Sequence, residues 1–161
     1  GCGRGEFLDE FTGLGMKGFG IDICGNAKDF CKNAEIEVCD ITKQKLPYPD
    51  NHFDIVFDTV GLDDTRKQAI SSIKPGGTII HIGLTQASGS FDFRKATLQE
   101  IIFIGTYCYT NKDFERTLDI LANKEIGSLN WIEYRKLKDG ASAFKQIHEG
   151  SCTAPKIILL V

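Results

Sequence analysis

A glycine-rich segment at the start of the sequence has the composition of a ligand-binding loop. Gly1, Gly3 and Gly5 alternate with Cys2 and Arg4, and a helical pattern begins at the next position. Glycine lets the backbone approach a ligand closely, and the N–H groups at the start of a helix point outward with partial positive charge. The segment therefore predicts a loop that holds a small molecule through its backbone.

Three aspartates follow apolar segments that predict buried strands. Asp22 ends the segment KGFGID, Asp40 lies near the end of IEVCDI, and Asp58 follows FDIVF. In open α/β sheets, ligands bind outside the carboxyl ends of the strands. These positions therefore direct attention to that edge as a ligand site, where a carboxylate such as Asp22 could accept hydrogen bonds from two ribose hydroxyls and Asp58 could orient a ligand amine.

Strand and helix patterns alternate along nearly the whole chain. Strands are predicted over residues 17–23, 36–41, 53–60, 78–84, 101–108, 130–137 and 156–161, and helices over 6–14, 26–34, 63–73, 111–124 and 139–149. This alternation is typical of βαβ units and of a mainly parallel, doubly wound sheet between two layers of helices. We predict a three-layer Rossmann-like α/β fold, in one domain because 161 residues is an ordinary domain length.

Several side chains have predicted structural roles within these elements. The helix over 63–73 is expected to be capped by Asp63 or Asp64, and Trp131 is expected to anchor a late strand. The residues expected to face inward from two helices are Ala69, Ile70, Ile73, Phe114, Leu118 and Leu121.

The placement of the last strand has two interpretations. A glycine loop of this kind normally follows the first, central strand of the sheet. The last apolar segment, KIILLV, could occupy that first-strand position, so that Val161 would lie beside Gly1. Alternatively, the segment is an edge strand. The first placement is favoured, because an empty central slot would leave the neighbouring strands' backbone groups unpaired.

The composition excludes several classes of function. The chain is 42% hydrophobic and 25% charged with a net charge of −3, which is ordinary for a globular protein and offers no basic surface for nucleic acid. The absence of a long apolar run and of a signal-peptide pattern predicts a cytoplasmic protein that does not bind membranes. Six cysteines without C-x-x-C spacing predict reduced thiols and no metal site. The oligomeric state is left open.

Glu6 bears on the choice of ligand. A dinucleotide fingerprint, G-x-G-x-x-G, would place its third glycine at this position. A carboxylate there would repel a pyrophosphate. It favours a ligand that has no phosphate and has a positive ammonium or sulfonium group.

Residues 1–57 resemble the first half of a class I S-adenosylmethionine-dependent methyltransferase, on the motifs GCGRGEF, GIDI, VCDI and LPYPDNHFDIVF. The resemblance implies that the glycine loop packs against the methionine part of the cofactor. It implies that Asp22 binds the ribose and Asp40 the adenine amino group, with Ile23 and Ile41 available to flank the ring.

Residues 53–161 resemble the C-terminal part of a medium-chain dehydrogenase of the zinc-type alcohol dehydrogenase superfamily. The motifs are FDIVFDTVGLDDTRKQAISSIKPGGTIIHIGL, IIFIGTYCYTNKDFERTLDIL and EYRKLKDGASAFKQIHEG followed by PKIILLV. This resemblance implies that the segments Thr59–Gly61 and His81–Leu84 lie along the nicotinamide half of NAD(P). The two resemblances predict a chimeric domain with a seam at about residues 53–60.

The sequence therefore predicts a Rossmann-like domain of hybrid origin that binds S-adenosylmethionine or S-adenosylhomocysteine. Its expected cofactor-binding residues are Gly1, Cys2, Gly3, Gly5, Asp22, Ile23, Asp40, Ile41 and Asp58. No catalytic residue is predicted, and His81 is interpreted as structural. Efficient turnover is not expected, because neither half contains its family's catalytic segments; if active, the chain would be a methyltransferase. Two alternatives stay open: an NAD(P)-binding fragment of a medium-chain dehydrogenase, and a folded scaffold without a ligand.

Overall fold

The computed structural model describes residues 1–25, 27–125, 132–152, 154 and 156–161. These residues form two compact units, Gly1–Tyr107 and Cys108–Val161. The predicted roles of Trp131 and of residues 26, 130 and 131 in their elements lie outside the described residues. The predicted single domain with a seam at 53–60 stays a prediction.

The first unit alternates helices and strands. Its elements are α1 (Glu6–Gly13), β1 (Phe19–Asp22), a 3-10 turn (Ala27–Asp29), β2 (Glu35–Val38), β3 (Phe53–Asp58), α2 (Asp63–Ser72), β4 (Ile73–His81), α3 (Phe93–Leu98) and β5 (Ile102–Gly105). β1 pairs with β2, and β3, β4 and β5 form a sheet in that order; every pairing is parallel. Parallel pairing aligns the carboxyl ends of neighbouring strands, where the predicted site residues lie.

The second unit contains α4 (Asn111–Ala122), β6 (Ile132–Lys136), a 3-10 turn (Leu137–Asp139), α5 (Gly140–His148) and β7 (Lys156–Leu160). β6 and β7 are parallel and in register from Ile132 opposite Lys156 to Lys136 opposite Leu160. β6 therefore gives β7 a five-residue partner within its own unit. The placement of KIILLV in the first-strand position stays a prediction.

The core of the first unit lies between α2 and β4. Ala69 and Ile70 of α2 pack with Ile73 and Ile79 of β4, and all four are almost completely buried. The predicted inward orientation of the first three is confirmed. Ile73 begins a strand, however, and does not end the helix. Complete burial of an isoleucine side chain contributes about 1.5–3 kcal/mol, so this cluster holds the sheet against its helix.

Two helices differ from their predictions. The segment over 26–34 forms only the short turn Ala27–Asp29, because the N–H groups of Lys32 and Asn33 donate to the Asp9 carboxylate at 3.1 and 2.9 Å. α4 forms as predicted, but the side chains expected to be buried are exposed: Phe114 51%, Leu118 51% and Leu121 37%.

The N-terminal cap of α2 and the presence of α3 also differ from the sequence analysis. The α2 cap is not an aspartate: the N-cap position is Leu62, whose N–H donates to the Thr65 hydroxyl at 2.8 Å. The sequence did not predict α3, which is capped by Asp92 accepting from the Lys95 N–H at 2.8 Å.

No helix in the part of the chain that the structure describes is long and apolar enough to cross a membrane.

Candidate functional site

The glycine loop lies between the carboxyl ends of β1 and β3. The N–H of Cys2 donates to the Ile21 carbonyl at 2.8 Å, and the Thr59 hydroxyl donates to the Gly1 carbonyl at 2.6 Å. These contacts attach the start of the chain to both strands, so the loop has a fixed place at the edge of the sheet.

Gly5 shows why a glycine is needed where the loop enters α1. Its φ is +82°, a conformation that other residues rarely adopt, and it is buried. A Cβ at this position would lie 2.7 Å from both Cys31 Sγ and Ile36 Cδ1. The glycine thus lets the first turn of α1 pack directly against β2.

Asp22 connects the end of β1 to the glycine loop. Its carboxylate accepts hydrogen bonds from the N–H of Gly3 and from the N–H of Cys24, each at 2.9 Å. The side chain remains only partly buried. An ionised carboxylate has about four lone-pair sites, so Asp22 keeps acceptor capacity for ribose hydroxyls while it positions the loop.

The second predicted acid, Asp40, is occupied by its own turn. It accepts from the Lys43 ammonium at 2.7 Å, from the Thr42 hydroxyl at 2.6 Å and from the Thr42 N–H at 3.1 Å. Lys43 first, and then Thr42, lower the pKa of Asp40 to about 2. The two isoleucines expected to flank the adenine ring differ: Ile41, next to Asp40, lines a cavity, whereas Ile23, next to Asp22, is 70% exposed. The adenine pocket implied by the methyltransferase resemblance stays a prediction.

Asp58 is buried at the end of β3. Its Oδ1 accepts from the N–H groups of Val60 and Gly61 at 3.1 and 2.8 Å, and its Oδ2 lies 2.9 Å from the Thr65 hydroxyl. His81 Nε2 lies 3.6 Å from Oδ2. The Asp58 side chain is 2% exposed. It therefore supports the loop after β3 through hydrogen bonds to the backbone.

The loops that follow β3 and β4 are joined backbone to backbone. A Cβ on Gly61 would lie 2.0 Å from the Gly83 carbonyl oxygen, and a Cβ on Gly83 would lie 2.1 Å from the Val60 carbonyl carbon. No side chain fits at either glycine. The segments that the dehydrogenase resemblance places along nicotinamide are therefore in direct contact.

Arg4 is a site residue that sequence reasoning missed. Its side chain is 17% exposed, its guanidinium carbon lies 3.7 Å from the centre of the Phe30 ring, and its Nε lies 3.4 Å from Glu6. Phe30 is far from Arg4 in the sequence, so no local pattern could reveal this stacking. Arg4 places a positive charge beside the glycine loop and offsets the charge of Glu6.

A cavity of about 740 Å³ with mainly apolar walls lies between β1 and β3. Gly1, Cys2, Ile41 and Asp58 contribute to its walls. This volume is within the usual range of small-molecule sites, about 300–1,000 Å³. Four of the nine predicted cofactor-binding residues therefore border one cavity, and Gly3 and Asp22 are hydrogen-bonded next to it.

Burial changes the acidity of two groups in this region. Desolvation, reinforced by the negative charge of Asp22, raises the pKa of Cys2 to about 11. Desolvation, with smaller effects of Glu37 and Glu35, raises the pKa of Tyr48 to about 12. Neither group supplies an anion at neutral pH.

A protein-family model described as zinc-binding dehydrogenase matches residues 16–123, more than half of the chain. The match is continuous across positions 53–60, and it includes β1 and β2, which the sequence resemblance had assigned to a methyltransferase. It supports the dehydrogenase part of the resemblance and gives no support to the methyltransferase part.

Curated relatives point the same way. Sorbitol dehydrogenase 1 of Saccharomyces cerevisiae is 25% identical over 129 residues, which cover 80% of this chain and 36% of the relative. D-xylulose reductase of the same organism is 26% identical over 94 residues, covering 58% and 26%. The chain thus spans only about a third of the length of these relatives, or less.

Solved structures confirm the Rossmann-like α/β fold. Alcohol dehydrogenase TADH from Thermus sp. ATN1 matches with a TM-score of 0.77 and 18% identity, covering 100% of this chain and 49% of that one. Acetophenone reductase from Geotrichum candidum, solved in complex with NAD, matches with a TM-score of 0.75 and 19% identity, covering 93% and 43%.

The same local features suit both families that the sequence resembles, since a glycine loop followed by an acid at a strand end can hold the ribose of either cofactor. The extent of the family match separates them. Because the family model matches more than half of its length, the chain belongs to the zinc-binding dehydrogenase family.

Proposed function

We propose that this chain is the cofactor-binding part of an NAD-dependent dehydrogenase. The observation that supports it best is the match to the zinc-binding dehydrogenase family over residues 16–123. Asp22, whose carboxylate accepts a hydrogen bond from the Gly3 N–H at 2.9 Å, is the candidate ribose-binding acid. In dinucleotide-binding folds an acid about 20 residues beyond the glycine loop accepts from the ribose 2′-hydroxyl of NAD. The same carboxylate would repel the 2′-phosphate of NADP, so the proposal specifies NAD.

The second support comes from the loops after β3 and β4. Gly61 and Gly83 are both buried, and their contact holds the two loops together beside the carboxyl ends of two strands. The nicotinamide half of the cofactor is assigned to this place.

The described residues supply no zinc site. Within residues 1–25, 27–125, 132–152, 154 and 156–161, no three His, Cys, Asp or Glu side chains converge in a way that could hold a metal ion. We assign cofactor binding to this chain, and hydride transfer and substrate binding to the whole protein.

S-adenosylmethionine is the competing ligand, and Glu6 is the observation that favours it. Glu6 begins α1, where a carboxylate disfavours a pyrophosphate. The nearby guanidinium of Arg4 offsets this charge and reduces the repulsion. A hybrid origin would accompany this ligand, but the continuous family match favours the dehydrogenase interpretation.

Calorimetric titration with NADH, NADPH, S-adenosylmethionine and S-adenosylhomocysteine tests the proposal. NADH should bind more tightly than NADPH, and the S-adenosyl compounds should show no heat of binding. Asp22→Ala should weaken NADH binding by about tenfold, the equivalent of roughly 1.4 kcal/mol. Asp119→Ala, at an exposed position on α4, is the matched control and should bind like the wild type. Binding of the S-adenosyl compounds alone would support the competing ligand, and binding of none would support a scaffold.

A further inference from the structure

Asp58 is the one acidic residue in the buried polar set of the described part of the chain. No Lys or Arg pairs with it there; His81 is the only potentially charged neighbour, at 3.6 Å. A buried carboxylate is costly unless donors satisfy it. Here the donors are two backbone N–H groups and one hydroxyl, at 2.8 to 3.1 Å. The buried Asp58 carboxylate is therefore satisfied by hydrogen bonds from the loop after β3 and from α2.

The carboxylate holds residues 59–61 in a tight turn. Both of the N–H groups that it accepts from, those of Val60 and Gly61, belong to this turn. The hydroxyl of Thr65, in the first turn of α2, is hydrogen-bonded to Asp58 Oδ2 at 2.9 Å and so links residues 59–61 to the helix. Since a charged acceptor attracts the hydroxyl proton more strongly than a carbonyl does, Thr65 donates to Asp58.

Residues 58–61 also hold residues 82–86 through backbone hydrogen bonds. The Asp58 carbonyl accepts from the N–H groups of Ile82 and Gly83 at 2.9 and 3.0 Å. The Val60 carbonyl accepts from the Thr85 N–H at 3.2 Å and from its hydroxyl at 2.6 Å. We call residues 59–61 and 82–86 the paired loops. Their contact at Gly61 and Gly83 leaves no room for a Cβ at either position.

We propose that Asp58 is a positioning residue that presets the paired loops to receive the nicotinamide end of NAD. It acts through the backbone and does not touch the cofactor, because its side chain is 2% exposed. Presetting a binding surface lowers the ordering cost of association, so its loss weakens binding without removing a contact. This inference rests on the proposed function and adds a residue to it.

The decisive test compares NADH with ADP-ribose, which lacks the nicotinamide ring, by calorimetry on wild type and variants. Asp58→Ala should weaken NADH binding by about tenfold and change ADP-ribose binding by less than about twofold. Asp58→Asn keeps an acceptor for Val60 and Gly61 and should restore most of the NADH affinity. Asp22→Ala is the contrasting control and should weaken both ligands. A general loss of structure lowers the binding stoichiometry for both ligands and does not change their ratio.

Thr65→Val provides the same test if Asp58→Ala does not fold. It removes one donor to the carboxylate and should lower the NADH affinity by about threefold, again without an effect on ADP-ribose. Hydrogen exchange on the free protein is the second measurement. The amides of Gly61, Ile82 and Gly83 should exchange faster in Thr65→Val than in the wild type, whereas the amides of β1 should exchange at the same rate in both.

The outcomes separate the two proposals. If the wild type binds neither NADH nor ADP-ribose, both are overturned. If it binds both and the Asp58 and Thr65 variants lose both ligands equally, or neither, the proposed function stands and the positioning role is overturned.

Discussion

Glu6 occupies the position where a dinucleotide fingerprint has glycine, and its effect depends on Arg4. The two side chains are 3.4 Å apart, and Arg4 is held over Phe30. We expect Glu6→Gln to strengthen NADH binding by about threefold, because it removes a negative charge near the α1 N-terminus and frees the Arg4 charge. Calorimetry measures the change. Weaker binding of NADH in this variant would contradict an NAD site at this loop.

Cys2 offers a prediction of pH dependence. Because its pKa is raised to about 11 by burial and by Asp22, the thiol should stay protonated and react slowly with iodoacetamide at pH 8. Its alkylation rate should rise as the pH approaches 11. The raised pKa also means that Cys2 contributes stability below pH 9, its ordinary pKa, and that this contribution is lost as the pH rises towards 11.

Mass spectrometry of alkylated peptides gives the rate for each cysteine, with the exposed Cys108 as an internal reference. Asp22→Asn removes a charge that raises the Cys2 pKa, so Cys2 should react at lower pH in that variant. An unchanged pH profile would show that burial alone determines its acidity.

At the scale of elements, the packing of α1 on β2 depends on Gly5. Gly5→Ala introduces a Cβ 2.7 Å from two side chains at a positive φ, so we expect a loss of about 2–3 kcal/mol in the free energy of unfolding. Gly3→Ala is the matched control. Its φ is +58° and nothing lies within 4 Å of the added atom, so the expected loss is about 1 kcal/mol.

Urea unfolding of both variants measures the difference. Equal losses would mean that backbone conformation alone, and not the contact with Cys31 and Ile36, requires glycine at this point of the loop.

The two compact units meet in sequence at Tyr107 and Cys108. Tyr107 and Tyr109 are 77% and 70% exposed and lie outside helices and strands. We expect chymotrypsin to cut first at these two tyrosines, because exposed backbone without regular hydrogen bonding is the preferred site of proteolysis. Mass spectrometry should show a fragment that ends at residue 107 or 109. First cuts within β3 or β4 would contradict this division of the chain.

A Tyr107→Ala, Tyr109→Ala double variant is the control for this experiment. It should resist the first cut while leaving later cleavage sites unchanged, since both side chains are mostly exposed and the Tyr109 ring, stacked 6.0 Å from that of Phe114, makes its contact near the surface.

At the scale of the whole molecule, the dehydrogenase resemblance is supported and the methyltransferase resemblance is not. The glycine loop, Asp22 and the strands around them are local features, and they serve S-adenosylmethionine and NAD equally well. The family match depends on the order of residues over positions 16–123. That extent distinguishes the two families where single motifs do not.

The sequence by itself determined the alternation of helices and strands, the glycine loop and the position of Asp22, because these depend on periodicity and on the shared edge of parallel strands. Only the tertiary structure decided that β7 pairs with β6, that Arg4 stacks on Phe30 and that Asp58 is enclosed by the paired loops. Each of these depends on contacts between segments that are far apart in the chain, and hydrophobic periodicity contains no information about which distant partner a segment selects.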